Sequence, residues 1–86
     1  MNEENVQKIG HIAHFFPKIS VAVIELTAPL SVGNTIVIKG PNTDFEQEVE
    51  SMQIEHEKIQ KAEAGQSIGL RVKERVRETD SVYKKL

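Results

Sequence analysis

Val32-Gly33-Asn34-Thr35-Ile36-Val37-Ile38 and Ala64-Gly65-Gln66-Ser67-Ile68-Gly69-Leu70 share one layout, a glycine turn feeding a strand-forming run. Glycine reaches positive φ without the Cβ penalty that other residues carry. β-branched residues fit a pleated, half-buried surface. The two stretches therefore read as turn-then-strand. Gly33 and Gly65 are expected in tight turns, at least one of them with positive φ.

Working outward, Lys18 to Thr27 is the clearest strand. Ile19, Val21 and Val23 share one face, and Ser20, Ala22, Ile24 and Leu26 the other. Ahead of it, Val6, Ile9, Ile12, Phe15 and Phe16 form a weakly periodic strand, closed by Pro17 and interrupted by Gly10 at a bend or bulge. Asn34 to Lys39 is a third strand. Gly40-Pro41-Asn42-Thr43-Asp44 is a dense turn signal. Phe45 to Ile54 is a fourth strand, whose apolar phase flips near Ser51 as a β-bulge would make it. Glu55 to Ala62 reads as an extended arm rather than a helix. Gln66 to Val76 and Ser81 to Tyr83 complete six strands. Turn glycines are assigned at Gly33, Gly40, Gly65 and Gly69. Short strands with turn signals at this spacing predict an all-β, six-stranded Greek-key barrel, whose closure would remove exposed edges. Residues 1–5 read as a disordered start and 6–86 as a single domain.

Eighty-six residues allow one domain at most. A chain this short buries only about two-thirds of its unfolded surface. It contains no cysteine, which excludes a disulfide framework. The polar, acidic opening is unlike a secretory signal. The longest apolar run, Val21 to Ile24, is too short for a bilayer. A cytoplasmic protein without membrane contact is expected. Net charge is −2, so no global pull toward nucleic acid exists, and DNA is not an expected partner. The charge is nevertheless uneven, with acids concentrated from Asp44 to Glu63 and bases from Arg71 onward.

Arg71, Lys73, Arg75 and Arg77 occupy alternate positions, which on a strand share a face. Such a stripe would run roughly 20 Å at ~3.3 Å per residue, enough to follow several phosphates of a single strand. The plainer reading, a solvated face neutralised by Glu46, Glu48 and Glu50, outweighs it. His11 and His14 are three apart and would point to opposite faces of a regular strand. With His56 they read as structural histidines rather than as a metal site. No serine stands in a nucleophile setting, and no cofactor is expected. Phe15-Phe16-Pro17 could present an aromatic platform, although adjacent aromatics more often split between core and surface.

From Leu30 onward the order of motifs resembles the β-barrel domain II of translation GTPases of the elongation factor Tu type. It runs Val32-Gly33, a strand, a polar turn, a strand ending Ser51-Met52-Gln53-Ile54, a spacer with Ile59 and Ala62, Ala64-Gly65, Ile68-Gly69-Leu70, and a closing Val76-x-x-x-Asp80-x-Val82-Tyr83. Ile38-Lys39-Gly40-Pro41 followed by Phe45-x-Gln47-x-Val49 also resembles the C-terminal barrel of collagenase-like peptidases. The whole is similar to short, stand-alone translation elongation factor-like proteins. Asn34 stands where that family often has Asp, and Thr79 where it often has Gly. No Gly-x-x-x-x-Gly-Lys-Ser/Thr loop is present. The resemblance implies a non-catalytic, translation-factor-like barrel that binds RNA (tRNA, rRNA or the ribosome); it carries over no contact residue, and Arg71, Lys73, Arg75 and Arg77 are the candidate contacts on their charge pattern alone. The alternative is a protein–protein adaptor docking on a separate enzyme or translation factor.

Overall fold

The computed structural model describes residues 5–86, so the expected disordered start lies, but for Asn5, outside the described residues. Ten strands and no helix make up the described chain: β1 (Val6–Phe16), β2 (Val21–Leu26), β3 (Leu30–Ser31), β4 (Thr35–Gly40), β5 (Thr43–Glu48), β6 (Met52–Ile54), β7 (Glu57–Ile59), β8 (Lys61–Ala62), β9 (Ser67–Arg71) and β10 (Ser81–Lys85). Eight of them form one sheet in the order β5-β4-β10-β1-β2-β9-β6-β7, and β3 pairs with β8 alone. The pairings are antiparallel throughout.

The all-β reading stands; the closed six-stranded Greek-key barrel does not. The outer strands β5 and β7 are not hydrogen-bonded to each other, so the sheet stays open. It nevertheless curls. Inward side chains from its strands, among them Ile9, Ile12, Ile24, Ile36, Ile38, Met52, Ile68, Leu70 and Val82, meet in one buried cluster. The strand count rises because one expected strand divides and three short strands, β3, β7 and β8, form outside the expected ones. Residues 45–54 are two strands: β5 pairs with β4, whereas β6 pairs with β7 and β9. Between them Val49 still follows the register of β4, its N–H donating to the Asn34 carbonyl and its carbonyl accepting from the Gly33 N–H, each at 2.8 Å, and the chain then crosses to β6. The phase flip at Ser51 thus marks a change of partner, not a bulge. The arm over 55–62 contributes β7 and β8.

The two glycine turns are built alike. Asn34 N–H donates to the Ser31 carbonyl at 3.1 Å, and Gln66 N–H to the Glu63 carbonyl at 3.2 Å. In each, the side-chain amide oxygen of the last turn residue accepts from the N–H of the first: Ser31 to Asn34 at 2.8 Å, Glu63 to Gln66 at 2.7 Å. Gly33 and Gly65 sit third with φ of 98° and 91°, near the value a type II turn requires at that position. Each turn follows one member of the β3–β8 pair and launches a strand of the large sheet, β4 or β9. Gly40 and Gly69 are placed differently. Gly40 ends β4 beside the two-residue Pro41–Asn42 turn, and Gly69 lies within β9 opposite Val23 and Gln53.

β1 carries two register shifts, at Lys8/Gly10 and at Ile12/His14, which explains its weak apolar period. At Gly10 the backbone of β2 comes so close that a Cβ would collide with the Glu25 carbonyl oxygen. The second shift has a chemical consequence. His11 opposes Glu25 and His14 opposes Val23, so both histidines reach the same outer face, contrary to the expectation from a regular strand.

Candidate functional site

β9 presents two edges. On one side it pairs with β2 from Val21↔Arg71 to Glu25↔Ser67. On the other, only Gly69 has a strand partner, Gln53 of β6. Continued in that register, β6 would set Ser51 opposite Arg71 and Val49 opposite Lys73. The chain instead leaves at Ser51, and among the described residues no strand neighbours the edge over 71–73. One side chain fills the gap. The Gln47 amide nitrogen donates to the Arg71 carbonyl at 2.8 Å, and its oxygen accepts from the Lys73 N–H at 2.9 Å. The carbonyl of one residue and the N–H of the second residue after it leave a strand on the same side, so one primary amide satisfies both. This contact joins the first strand of the sheet to the sixth and holds the curl without closing it.

A cleft of about 650 Å³ opens at this seam. That size lies within the ~300–1,000 Å³ usual for ligand sites. Gln47, Glu48, Glu50 and Ser51 form one wall, Arg71 and Lys73 the other, and Val21, Gln53 and Gly69 the floor. Gly69 leaves the floor open: a Cβ there would meet nothing nearer than Val21 Cγ1 at 3.6 Å. The walls carry opposite charge, yet among the described residues no ion pair joins Glu48 or Glu50 to Arg71 or Lys73. Glu46 faces elsewhere and pairs with Lys85 at 3.0 Å. Of the three acids expected to neutralise the basic stripe, two therefore face it across the cleft and one does not.

The stripe itself is not a strand face. β9 ends at Arg71, five residues short of the expected Val76. Leu70 and Val72 are buried while Arg71 and Lys73 are exposed, but Lys73, Glu74 and Arg75 are exposed in succession. Arg77 belongs to the turn before β10, its N–H donating to the Asp80 carboxylate at 2.9 Å. Buried Asp80 binds the turn there, beside Gly40, where any Cβ would strike its carboxylate. The structure thus brings Arg71 and Lys73 to the cleft and leaves Arg75 and Arg77 out of its lining. Sequence reasoning missed Gln47, Glu48 and Glu50 as cleft residues. Only the phase flip at Ser51 signalled that a ladder opens there.

The histidines do not converge on a metal. His11 Nε2 lies 3.6 Å from Glu25, and His14 Nδ1 lies 3.2 Å from Glu78. The His14 ring meets Phe16 edge-on at 4.4 Å. His56 stands in the β6–β7 turn with φ of 70°. Among the described residues no group of three or more His, Asp or Glu side chains is arranged to hold a metal ion. No helix of the described chain is long and apolar enough to cross a membrane.

An open, curled sheet of this topology defines a class. The fold is that of the C-terminal domain of a proposed U32 peptidase from Geobacillus thermoleovorans, with a TM-score of 0.87 over 93% of each chain at 18% identity. The selenomethionine variant of that domain gives 0.84 over 88% of this chain and 96% of its own. The sequence relatives are more specific. The chain is 43% identical over 77 residues to an "uncharacterized protease" of Methanocaldococcus jannaschii, and 37% identical over 78 residues to a collagenase of Porphyromonas gingivalis. These matches cover 88% of this chain but 19% and 22% of the two relatives, so the chain spans about a fifth of their length. No family model matches. The collagenase-like half of the resemblance is thereby supported: the chain is similar in sequence to part of a protease and of a collagenase, and shares the fold of a U32 peptidase C-terminal domain. The translation-factor half is corrected. These relatives are peptidase-type proteins, and that overturns both the expected RNA-binding or adaptor role and the expectation of a non-catalytic chain.

Proposed function

We propose that the chain serves peptidase chemistry of the U32 kind by holding extended polypeptide in the cleft between residues 47–53 and 69–73. The observation that carries this reading is the cleft's construction, with acidic and basic walls facing each other, unpaired among the described residues, beside a backbone edge that none of the described strands covers. Polypeptide offers what such a site can use: peptide groups for the edge and side chains of both signs for the walls. The protease and collagenase names of the sequence relatives support polypeptide as the ligand class. A nucleic acid strand would meet Glu48 and Glu50 as well as the bases.

The test is binding of labelled, denatured casein and gelatin to the purified chain, followed by fluorescence anisotropy. Gly69→Leu is the matched variant, because a Cβ fits at that position and the longer side chain fills the cleft floor. The expected result is saturable binding by the wild type and at least about a tenfold loss in Gly69→Leu, with thermal stability retained. Wild-type protein that binds neither polypeptide, or a variant that binds as well as the wild type, contradicts the proposal.

A further inference from the structure

Among the described residues, Gln47 is the one side chain hydrogen-bonded across the cleft, and its bonding has a particular form. It belongs to β5, yet its amide serves no group of its own strand or of β4. Both of its hydrogen bonds go to the main chain of the opposite wall, Arg71 C=O at 2.8 Å and Lys73 N–H at 2.9 Å. Chemically a primary amide is a peptide group on a flexible stem, with one carbonyl acceptor and N–H donors. It occupies the position a peptide group of an added strand would take. The remaining features fit an added strand too. Val72 N–H, the next donor along, points the other way and donates to the Ser20 carbonyl at 2.8 Å, so the segment is held in place from behind whatever happens at its front edge. Val72 is buried and anchors it further.

We propose that Gln47 is a built-in stand-in for bound polypeptide. An extended segment enters the cleft, displaces the Gln47 amide, and takes over the Arg71 carbonyl and the Lys73 N–H with its own backbone. This is strand addition at a sheet edge, in which main-chain bonds supply affinity and alternate side chains supply selectivity. The occupant is an extended peptide with cationic side chains set toward Glu48 and Glu50 and anionic ones toward Arg71 and Lys73. Between ligands the amide satisfies both backbone groups, so the edge is not left open to pair with a second copy of the chain. The inference rests on the polypeptide-binding reading and adds to it the mode of recognition and a residue that sets affinity.

Two measurements test it. The probe is a short peptide alternating valine with lysine and glutamate, compared with the same peptide N-methylated at alternate nitrogens. In Gln47→Ala the edge is vacant, so the wild-type cost of breaking two side-chain bonds disappears and the peptide binds about threefold to tenfold more tightly. N-methylation abolishes binding. In the wild-type protein, Lys73 amide hydrogen exchange slows when the peptide is added, a readout that does not depend on the folding of any variant. If the peptide binds, and Gly69→Leu still blocks it, while Gln47→Ala leaves affinity unchanged or weaker and the Lys73 amide gains no protection, the stand-in is overturned and the cleft reading survives. If neither wild type nor Gln47→Ala binds the peptide, casein or gelatin, both fall.

Discussion

Thr79 is a β-branched residue at φ of 75°, a conformation such residues rarely adopt. It is held there from both sides: its N–H donates to the Ile12 carbonyl at 2.9 Å, and Asp80 N–H closes the turn onto the Arg77 carbonyl at 3.1 Å. The left-handed conformation costs an L-residue about 1–2 kcal/mol. Glycine removes that strain and adds unfolded-state entropy worth roughly half as much. Thr79→Gly is therefore expected to stabilise the protein by about 0.5–1 kcal/mol, seen as a higher urea midpoint at unchanged slope; a lower midpoint contradicts the strain argument. Two other glycines separate by what surrounds them. Gly10→Ala drives a Cβ into the Glu25 main chain, which cannot move aside, and is expected to cost at least ~2 kcal/mol. Gly69→Ala meets only ordinary contacts and is expected to be neutral or stabilising by up to ~1 kcal/mol. Equal costs for the two would refute the close-approach reading of Gly10.

Among the elements, the β6–β7 hairpin has the least suitable turn residues. Ile54↔Glu57 closes a two-residue loop, and both loop residues, Glu55 and His56, have positive φ, at 50° and 70°. That is the signature of a type I′ turn, which prefers Asn-Gly. Replacing Glu55-His56 with Asn-Gly should raise the thermal midpoint, by roughly 1 kcal/mol in stability; no gain would mean the loop is not strained. The Glu-His pair also explains why this hairpin was hard to read. With no glycine or asparagine to mark the turn, residues 55–62 showed only an extended arm. Elements with punctuation were legible: β2 alternates plainly, and the two glycine turns were visible in the order Val32-Gly33-Asn34 and Ala64-Gly65-Gln66. β9 was overextended because Arg71, Lys73, Arg75 and Arg77 keep strand spacing after the strand has ended. Alternation in sequence shows that residues could share a face; it does not show that a ladder partner is there to hold them.

At the scale of the molecule, one geometric choice shapes both fold and site. The sheet curls far enough for β5 to reach β9 but is not closed there by a strand. Barrel-like patterning was legible because every strand but β7 buries at least one apolar side chain; the break was not, because hydrophobic alternation is the same on either side of an open seam. The candidate site fared similarly. Its basic wall stood out as a charge pattern, whereas its acidic wall and Gln47 come from β5 and the link after it, about two dozen residues earlier, and are assembled only by the curl. The most direct test of the cleft reading is a two-dimensional amide spectrum of the wild-type chain during titration with the alternating-charge peptide. The account predicts that the largest shifts fall at residues 47–53 and 69–73, the two walls of the seam. Shifts centred elsewhere, on the Phe16–Ile19 hairpin tip or the histidine-bearing face of β1, or no shifts at all, would contradict it.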